Sequence, residues 1–484
     1  MGAIATAVNK KGENVVPTVL SMLKQLEHRG TDAHGLATAN STNTSNSIER
    51  LTIKNMSSDV ALGHNLSHIL PKDRPQPVSG ENFALTFEGR LFPRSALSDV
   101  DVILEMLRSD SQKNASSIIK RLDGSYVFAI ACRGRVIAGR DTLGTTPLYY
   151  GENETSSAMA SERKALWAIG IKDVKSFPPG NLALITTHGF AFQPVKTITQ
   201  PPLKPTDMKT ATKHLKTLLS ESTKERLSDI KKDAVAFSGG LDSSLIAMLA
   251  ETCGIEVQLI TVGFEDQREL HHAETAAKAL ELPLHIQTYT LEDVEQTLPR
   301  VLWLIEEPDV MKVGVAIPIF WTAEIASKLG FHTLLAGQGA DELFGGYQRY
   351  LKDYAAGVEA VRSSMYHDVT TCHEKNFQRD NKVCSFHKME LRLPFADREV
   401  VKYSLSLPTH LKIESPEDDL RKRVLRRTAQ NLGMPQFIVN KTKKAVQYST
   451  GVNKALRKLA RRENLTLREY VKRVFQKAYS ERET

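Results

Sequence analysis

The stretch that most constrains the fold is "AVAFSGGLDSSLIAML", Ala234 to Leu249. Strand-forming residues end at Phe237, helix-forming ones begin at Leu245, and Ser238-Gly239-Gly240-Leu241-Asp242-Ser243-Ser244 joins them. Glycines without a Cβ let the backbone turn tightly, so successive N–H groups can converge on one point. The helix that follows adds the positive end of its dipole, and the serine hydroxyls can donate to the same point. The segment predicts a strand–turn–helix unit shaped as an anion cradle. It is not a Walker loop, because the Gly-Lys-Ser/Thr ending is missing. Asp242 would repel phosphates unless a cation lies between them, which implies Mg²⁺, a metal that prefers carboxylate and phosphate oxygens. The alternative is an ordinary glycine-rich turn, which has no need of the aspartate.

Strands and helices go on alternating after this unit. "VQLITVGF" leads to "HHAETAAKAL", and "TLLAG" leads to the "ADELFGGY" turn. That order predicts a parallel α/β sheet. The end of the chain reads as helical. In "TLREYVKRVFQKAY", Thr466 and Glu469 form a capping box, and Leu467, Tyr470, Val471, Val474 and Phe475 make one stripe. Residues 1–195 are strand-rich, with helices near 15–28 and 101–108. Three prolines in "KTITQPPLKPT" mark 196–206 as a linker. Thr206 is expected to cap the helix that opens a second domain over 207–484.

The length of 484 residues suits two or three domains, and 41% hydrophobic with 25% charged residues suits a globular chain. No window approaches the ~20 unbroken apolar residues of a membrane span, so no membrane partner is expected. The start, "MGAIATAVNKKGE", lacks a secretory pattern, and the four cysteines form no CxxC pair. A reduced, cytoplasmic setting is the expectation. From Arg421 to Thr484 there are 18 Lys+Arg against 4 Asp+Glu, or +14, which leaves +8 − 14 = −6 for the rest. Such a basic end suits a polyanion (ATP, pyrophosphate or RNA) or else a solvated helix face. His271-His272 reads as a surface pair, Cys372 and Cys384 as free thiols, and Trp303 and Trp321 as core.

"SGGLDSS" resembles the pyrophosphate loop of the ATP-pyrophosphatase superfamily, whose members cleave ATP between the α and β phosphates. "LLAGQGADELFGGYQRY", Leu334 to Tyr350, is more specific. It resembles the second signature of the asparagine synthetase family. "ITVGF" resembles that family's adenine-pocket strand. "QRDNKVCSFHKMELRLPFADREVV", "RKRVLRRTAQ" and "KKAVQYSTGVNKAL" resemble further segments of it in order.

The resemblance implies ATP and Mg²⁺ as cofactors. It assigns Phe237, Ser238, Gly239, Gly240, Asp242, Ser243, Ser244, Val262, Gly263, Ala336 and Gly337 to the nucleotide and pyrophosphate. Gln338, Gly339, Asp341 and Glu342 fall to the substrate, Asp242 and Asp341 to the metal, and either Lys443 or Lys444 to charge stabilisation during catalysis. Many relatives carry Glu where Gln338 stands, and a glutamine cannot act as a general base. The group that deprotonates the nucleophile is therefore left unidentified.

Residues 1–195 resemble a class II glutaminase domain through "HRGTDAHG", "LDGSYVFAI" and "RDTLGTTPLYYG". That implies an Ntn-hydrolase-like αββα sandwich, followed by an ATP-pyrophosphatase-type parallel α/β domain with a helical C-terminus. The family's nucleophile is a cysteine at position 2, but here it is Gly2. Leu66 stands where a carboxylate-clamping arginine belongs, and Glu88 where an oxyanion-hole asparagine belongs. Asp99 and Gly89 remain. Three losses imply an inactive glutaminase.

The leading expectation is an ATP-dependent amide ligase that joins a small carboxylic acid, aspartate foremost, to ammonia from elsewhere. One alternative is a related adenylating enzyme, such as one similar to β-lactam synthetase or one acting on RNA. Another is a non-catalytic paralogue. A homodimer is left open.

Overall fold

The computed structural model describes residues 2–109, 115–265, 267–443 and 450–480. Contacts divide the chain into two compact units, Met1–Ile198 and Thr199–Thr484.

The first unit contains two antiparallel sheets. One has seven strands in the order Lys175–Ser176, Tyr149–Glu152, Ser156–Ala160, Gly2–Asn9, Val60–Leu66, Ala33–Ala37, Thr42–Ser45. The other has six, in the order Gly189–Pro194, Asn181–Thr186, Arg135–Arg140, Asp123–Cys132, Ala84–Phe92, Val78–Ser79. Alternating side chains from both sheets, among them Ile4, Val8, Leu62, Val127, Ala129, Met159 and Phe177, fill one buried layer between them. The opposite faces are also apolar, so each needs a cover. Helix Val16–Gln25 packs on the seven-stranded sheet through Val16, Val19, Met22 and Leu23. Helix Asp99–Ser109 packs on the other through Val100, Ile103 and Leu104, beside Ile118 and Ile119. The result is a four-layer αββα sandwich.

The second unit is built on five parallel strands in the order Leu284–Thr288, Glu256–Gly263, Lys232–Ala236, Thr333–Leu335, Glu390–Arg392. Counted along the chain this is 3-2-1-4-5. The order reverses between the first strand and the fourth, and ligands of such sheets bind beyond the strand ends at that reversal. Strands buried on both faces favour unbroken apolar runs, as in Leu259–Val262 and Leu334–Leu335. One face carries helices Leu291–Ile305, Val310–Lys328, Val452–Arg462 and Leu467–Ser480 around Trp303, Trp321, Val383 and Leu459. Helix Val310–Lys328 is long and apolar enough to cross a membrane, yet Val313, Ile317, Phe320 and Trp321 are buried in this core. Leu467–Ser480 starts with the expected capping box, in which the Glu469 carboxylate accepts from the Thr466 N–H and hydroxyl. Helix Met208–Leu227 is capped by Asp207 rather than Thr206. The aspartate carboxylate accepts from the Thr210 N–H at 2.7 Å, as a charged acceptor does well at this position.

The first buried residue of the central strand is an acid. Asp233 Oδ1 accepts from the Thr333 hydroxyl and the Ala234 N–H, while Oδ2 has no hydrogen-bond partner among the described residues. Burial pushes this carboxyl up to about 7, against the pull of Arg392. The folded state thus holds the proton more tightly than the unfolded chain. The stability this contributes is complete below the unfolded value of 3.8 and is lost as pH rises toward about 7. Urea unfolding across that window should show this loss in the native protein, and Asp233→Asn should remove it.

Candidate active site

Two loops leave the carboxyl ends of the first and fourth strands, side by side in the sheet. The first carries Ser238–Gly240 into helix Leu241–Glu251, with Asp242 in its first turn. Gly239 takes φ +63°, a left-handed conformation open to glycine without strain. The Ser238 N–H donates to Ser243 Oγ at 3.2 Å, and the Gly240 N–H donates to Ser238 Oγ at 3.3 Å. From the neighbouring helix, His272 Nε2 meets the Gly239 carbonyl at 2.8 Å and braces the loop. His272 is therefore not a free surface residue, in contrast to exposed His271. The second loop places Asp341 in the first turn of helix Ala340–Phe344.

The two carboxylates meet across two ammonium groups. Lys422 Nζ lies 2.8 and 2.7 Å from the oxygens of Asp242 and 2.6 Å from Asp341 Oδ1. Lys443 Nζ lies 2.8 Å from Asp341 Oδ2 and 3.6 Å from Asp242 Oδ2. Burial alone would raise the Asp341 carboxyl, but Lys422 and Lys443 hold it well below the usual carboxylate range. Burial disfavours the Lys443 ammonium, yet Asp341 and Asp242 raise its pKa all the same.

Lys422 is held by unusual backbone. Arg421 and Lys422 have φ +50° and +52°, just before helix Arg423–Asn431. Such a pair costs on the order of 1 kcal/mol or more per residue. The Asp418 carboxylate accepts from the Arg421 N–H, and the Gly346 carbonyl accepts from Arg421 Nε. A Cβ at Gly346 would overlap the Asp341 carboxylate and the Lys422 side chain. Only glycine fits there.

A cleft opens above these charges. Phe237, Ser238, Asp242, Ser243, Val262, Ala336, Gly337, Gln338, Asp341 and Lys443 line it. Ile260 and Thr261 add the strand wall, and Pro318 and Ile319 an apolar one. Gly239, Gly240, Ser244, Gly263, Gly339 and Glu342 are not among the lining residues. Glu342 is buried behind the cleft, where its carboxylate accepts from Tyr347 Oη at 2.5 Å and Asn376 Nδ2 at 2.7 Å. Burial, with Asp341 nearby, raises its pKa. Lys444 lies outside the described residues.

The sequence reading singled out neither Lys422 nor Asp380, which also lines the cleft. Lys422 is the one lysine among five cations in "RKRVLRRTAQ", a segment resembling a lysine-containing helix of the family, but nothing local shows where it aims. Gln338 Nε2 donates to Asp380 Oδ2 at 2.8 Å. Burial raises the Asp380 carboxyl, with Arg379 acting against it.

Oxygen ligands from two carboxylates suit a magnesium ion shared with phosphates, and the two ammonium groups already gathered between Asp242 and Asp341 mark that point as attractive to cations. No cluster of three or more His, Cys, Asp or Glu able to hold a metal occurs among the described residues. A metal here would need oxygens from its ligand.

In the first unit, Gly2 forms the end of a central strand opposite Leu66. A Cβ at Gly2 would overlap the Asn65 carbonyl oxygen. Glu88 does not stand as a lone anion. It pairs with buried Arg29 at 2.7 Å and accepts from Ser161 Oγ at 2.7 Å. Asp99 is occupied as well, by Arg94 at 2.8 Å and Arg90 at 3.4 Å.

Removing the buried ammonium should leave two facing carboxylates uncompensated. Lys422→Met is expected to cost about 3 kcal/mol in urea unfolding, with part of the loss recovered when millimolar Mg²⁺ is added. An unchanged midpoint would contradict the charge arrangement.

Family models match both units of the chain. The asparagine synthase family model matches residues 214–357 and 353–483, and the glutamine amidotransferase domain model matches residues 1–199. A Methanocaldococcus jannaschii protein named "Putative asparagine synthetase (glutamine-hydrolyzing) 1" is 30% identical over 96% of this chain and 96% of its own. An asparagine synthetase (glutamine-hydrolyzing) of Sandersonia aurantiaca is 27% identical over 90% of this chain and 83% of its own. Among solved structures, the glutamine phosphoribosylpyrophosphate amidotransferase of B. subtilis, complexed with ADP and GMP, matches with a TM-score of 0.36 and 17% identity. That match covers 59% of this chain and 65% of that one. The chain belongs to the asparagine synthetase family, ATP-dependent carbon–nitrogen ligases that form AMP and pyrophosphate.

Proposed function

We propose that the chain activates a small carboxylic acid, aspartate foremost, and passes the acyl group to ammonia that its own first unit does not generate. The observation that carries this reading is the meeting of Asp242, Asp341, Lys422 and Lys443 at the ends of two adjacent strands. A substrate carboxylate oxygen attacks the α-phosphorus of ATP. The bond to the bridging oxygen breaks, and pyrophosphate leaves with the electron pair. Ammonia then attacks the acyl carbon, the bond to AMP breaks, and one N–H proton goes to solvent.

The serine hydroxyls and N–H groups of the glycine loop suit the phosphates, and the wall at Ile260–Val262 suits a base. The ammonium groups of Lys422 and Lys443 would exchange their carboxylate partners for phosphate and acyl oxygens as charge develops there. A magnesium ion held by Asp242 and Asp341 would neutralise the pyrophosphate. Gly2, Leu66 and the occupied Glu88 and Asp99 support an outside nitrogen source. None supplies a nucleophile, a carboxylate clamp or an oxyanion donor.

The test is pyrophosphate release with ATP, Mg²⁺, aspartate and ammonium, with product amide measured alongside. Asp341→Asn should lower the rate by at least about a hundredfold, comparable to loss of a preorganised electrostatic group. Formation of ADP and phosphate instead of AMP and pyrophosphate would overturn the reading. At fixed total ammonium the rate should rise with pH through the neutral range, since only the unprotonated amine attacks. Glutamine should not replace ammonium, and Gly2→Cys should not make it do so. A glutamine-driven rate in either protein would contradict the proposed nitrogen source.

A further inference from the structure

Gln338 lines the cleft, yet a carboxamide cannot take a proton from the nucleophile. Its surroundings give it a different task. The amide has a donor end and an acceptor end, and which end faces the cleft depends on its neighbours. Asp380 is that neighbour. Its carboxylate is buried, and both oxygens are engaged by Arg379, with Nε at 2.7 Å from Oδ1 and Nη2 at 3.1 Å from Oδ2. A carboxylate paired in this way only accepts. It therefore takes Gln338 Nε2 at 2.8 Å and would repel Oε1 in the same place.

Arg379 is itself fixed. Its Nη1 donates to the Lys375 carbonyl at 3.0 Å and to Asn376 Oδ1 at 3.1 Å, where the helix is wound as a π-turn over His373–Phe377. Asn376 in turn donates to Glu342. The chain Glu342–Asn376–Arg379–Asp380 is a buried scaffold with one free end, the Gln338 amide oxygen. No described residue donates a hydrogen bond to that oxygen.

We propose that Gln338 seats the attacking nitrogen through Oε1, and that Asp380 is the positioning residue that fixes the amide in this sense. The seat selects a small nucleophile that carries N–H donors, and ammonia arrives there as the free base. The proposal rests on the acyl-adenylate reading above. It makes nitrogen capture the step that depends most on the Gln338–Asp380 pair.

The experiment measures two quantities in the full chain: aspartate-dependent exchange of labelled pyrophosphate into ATP, without ammonium, and the KM for ammonium in amide synthesis. Gln338→Met removes the acceptor. Asp380→Asn lets the amide turn over, so that a donor faces the cleft. Each should raise the ammonium KM about five- to tenfold, the worth of one neutral hydrogen bond, and this rise should exceed any accompanying fall in exchange. The pair Gln338→Glu with Asp380→Asn swaps donor and acceptor across the same bond and should restore most of the ammonium affinity. An unchanged ammonium KM in Gln338→Met, or exchange falling in parallel with amide synthesis, would overturn the proposal. The Gln338→Met result decides even where Asp380→Asn fails to fold. No exchange in the unaltered protein would remove the adenylation reading, and this inference with it.

Discussion

The second unit is organised around a balance of four charges. Asp242, Asp341, Lys422 and Lys443 come from four separate stretches of chain, and each ammonium lies within 2.6–3.6 Å of both carboxylates. Two carboxylates this close would not both ionise unaided. Much of the local structure serves the balance: the glycine at 346, the left-handed pair at 421–422, and the short helix that aims Asp341. Strain at Arg421 and Lys422 is offset by the ion pairs that it allows. The strand order 3-2-1-4-5 brings the two acidic loops side by side, and so the topology precedes the chemistry.

The parallel sheet could be read from the sequence because its signals are local. The three central strands are short apolar runs followed by a turn and a helix, and Ala234–Leu249 contains run, turn and helix within one window, whereas the edge strands Leu284–Thr288 and Glu390–Arg392 are mostly polar. Asp242 could be found because a carboxylate inside an anion cradle is a contradiction that needs a cation. Lys422 could not, since five cations share its segment and only a backbone kink, 180 residues from Asp242, aims this one. Asp380 was hidden for the same reason. Its meaning comes from Gln338, 42 positions away. The shift of the helix cap from Thr206 to Asp207 shows a different limit, because two adjacent residues could each cap and the helix start decides. His272 likewise shows nothing in sequence of its contact with the glycine loop.

The first unit is held together independently of its polar corner. Its four layers are held by apolar packing on three levels, none of which depends on position 2 or 66 carrying a reactive group. Glu88 illustrates the accommodation. As a lone anion in a buried site it would be costly, but Arg29 and Ser161 absorb it, and Arg29 ties it to Glu162 and the Gly2 carbonyl. The corner around Gly2 and Glu88 is an internal ion cluster.

The charge quartet has a kinetic corollary. Two acids and two ammonium groups sum to zero, so seen from a distance the mouth of the cleft projects little field from its own centre. A polyphosphate would approach without long-range steering from this cluster and would meet concentrated charge only on contact, where screening by salt is weak. The quartet itself therefore adds little ionic-strength dependence to such an encounter, and long-range attraction is left to the basic segment that begins at Arg421.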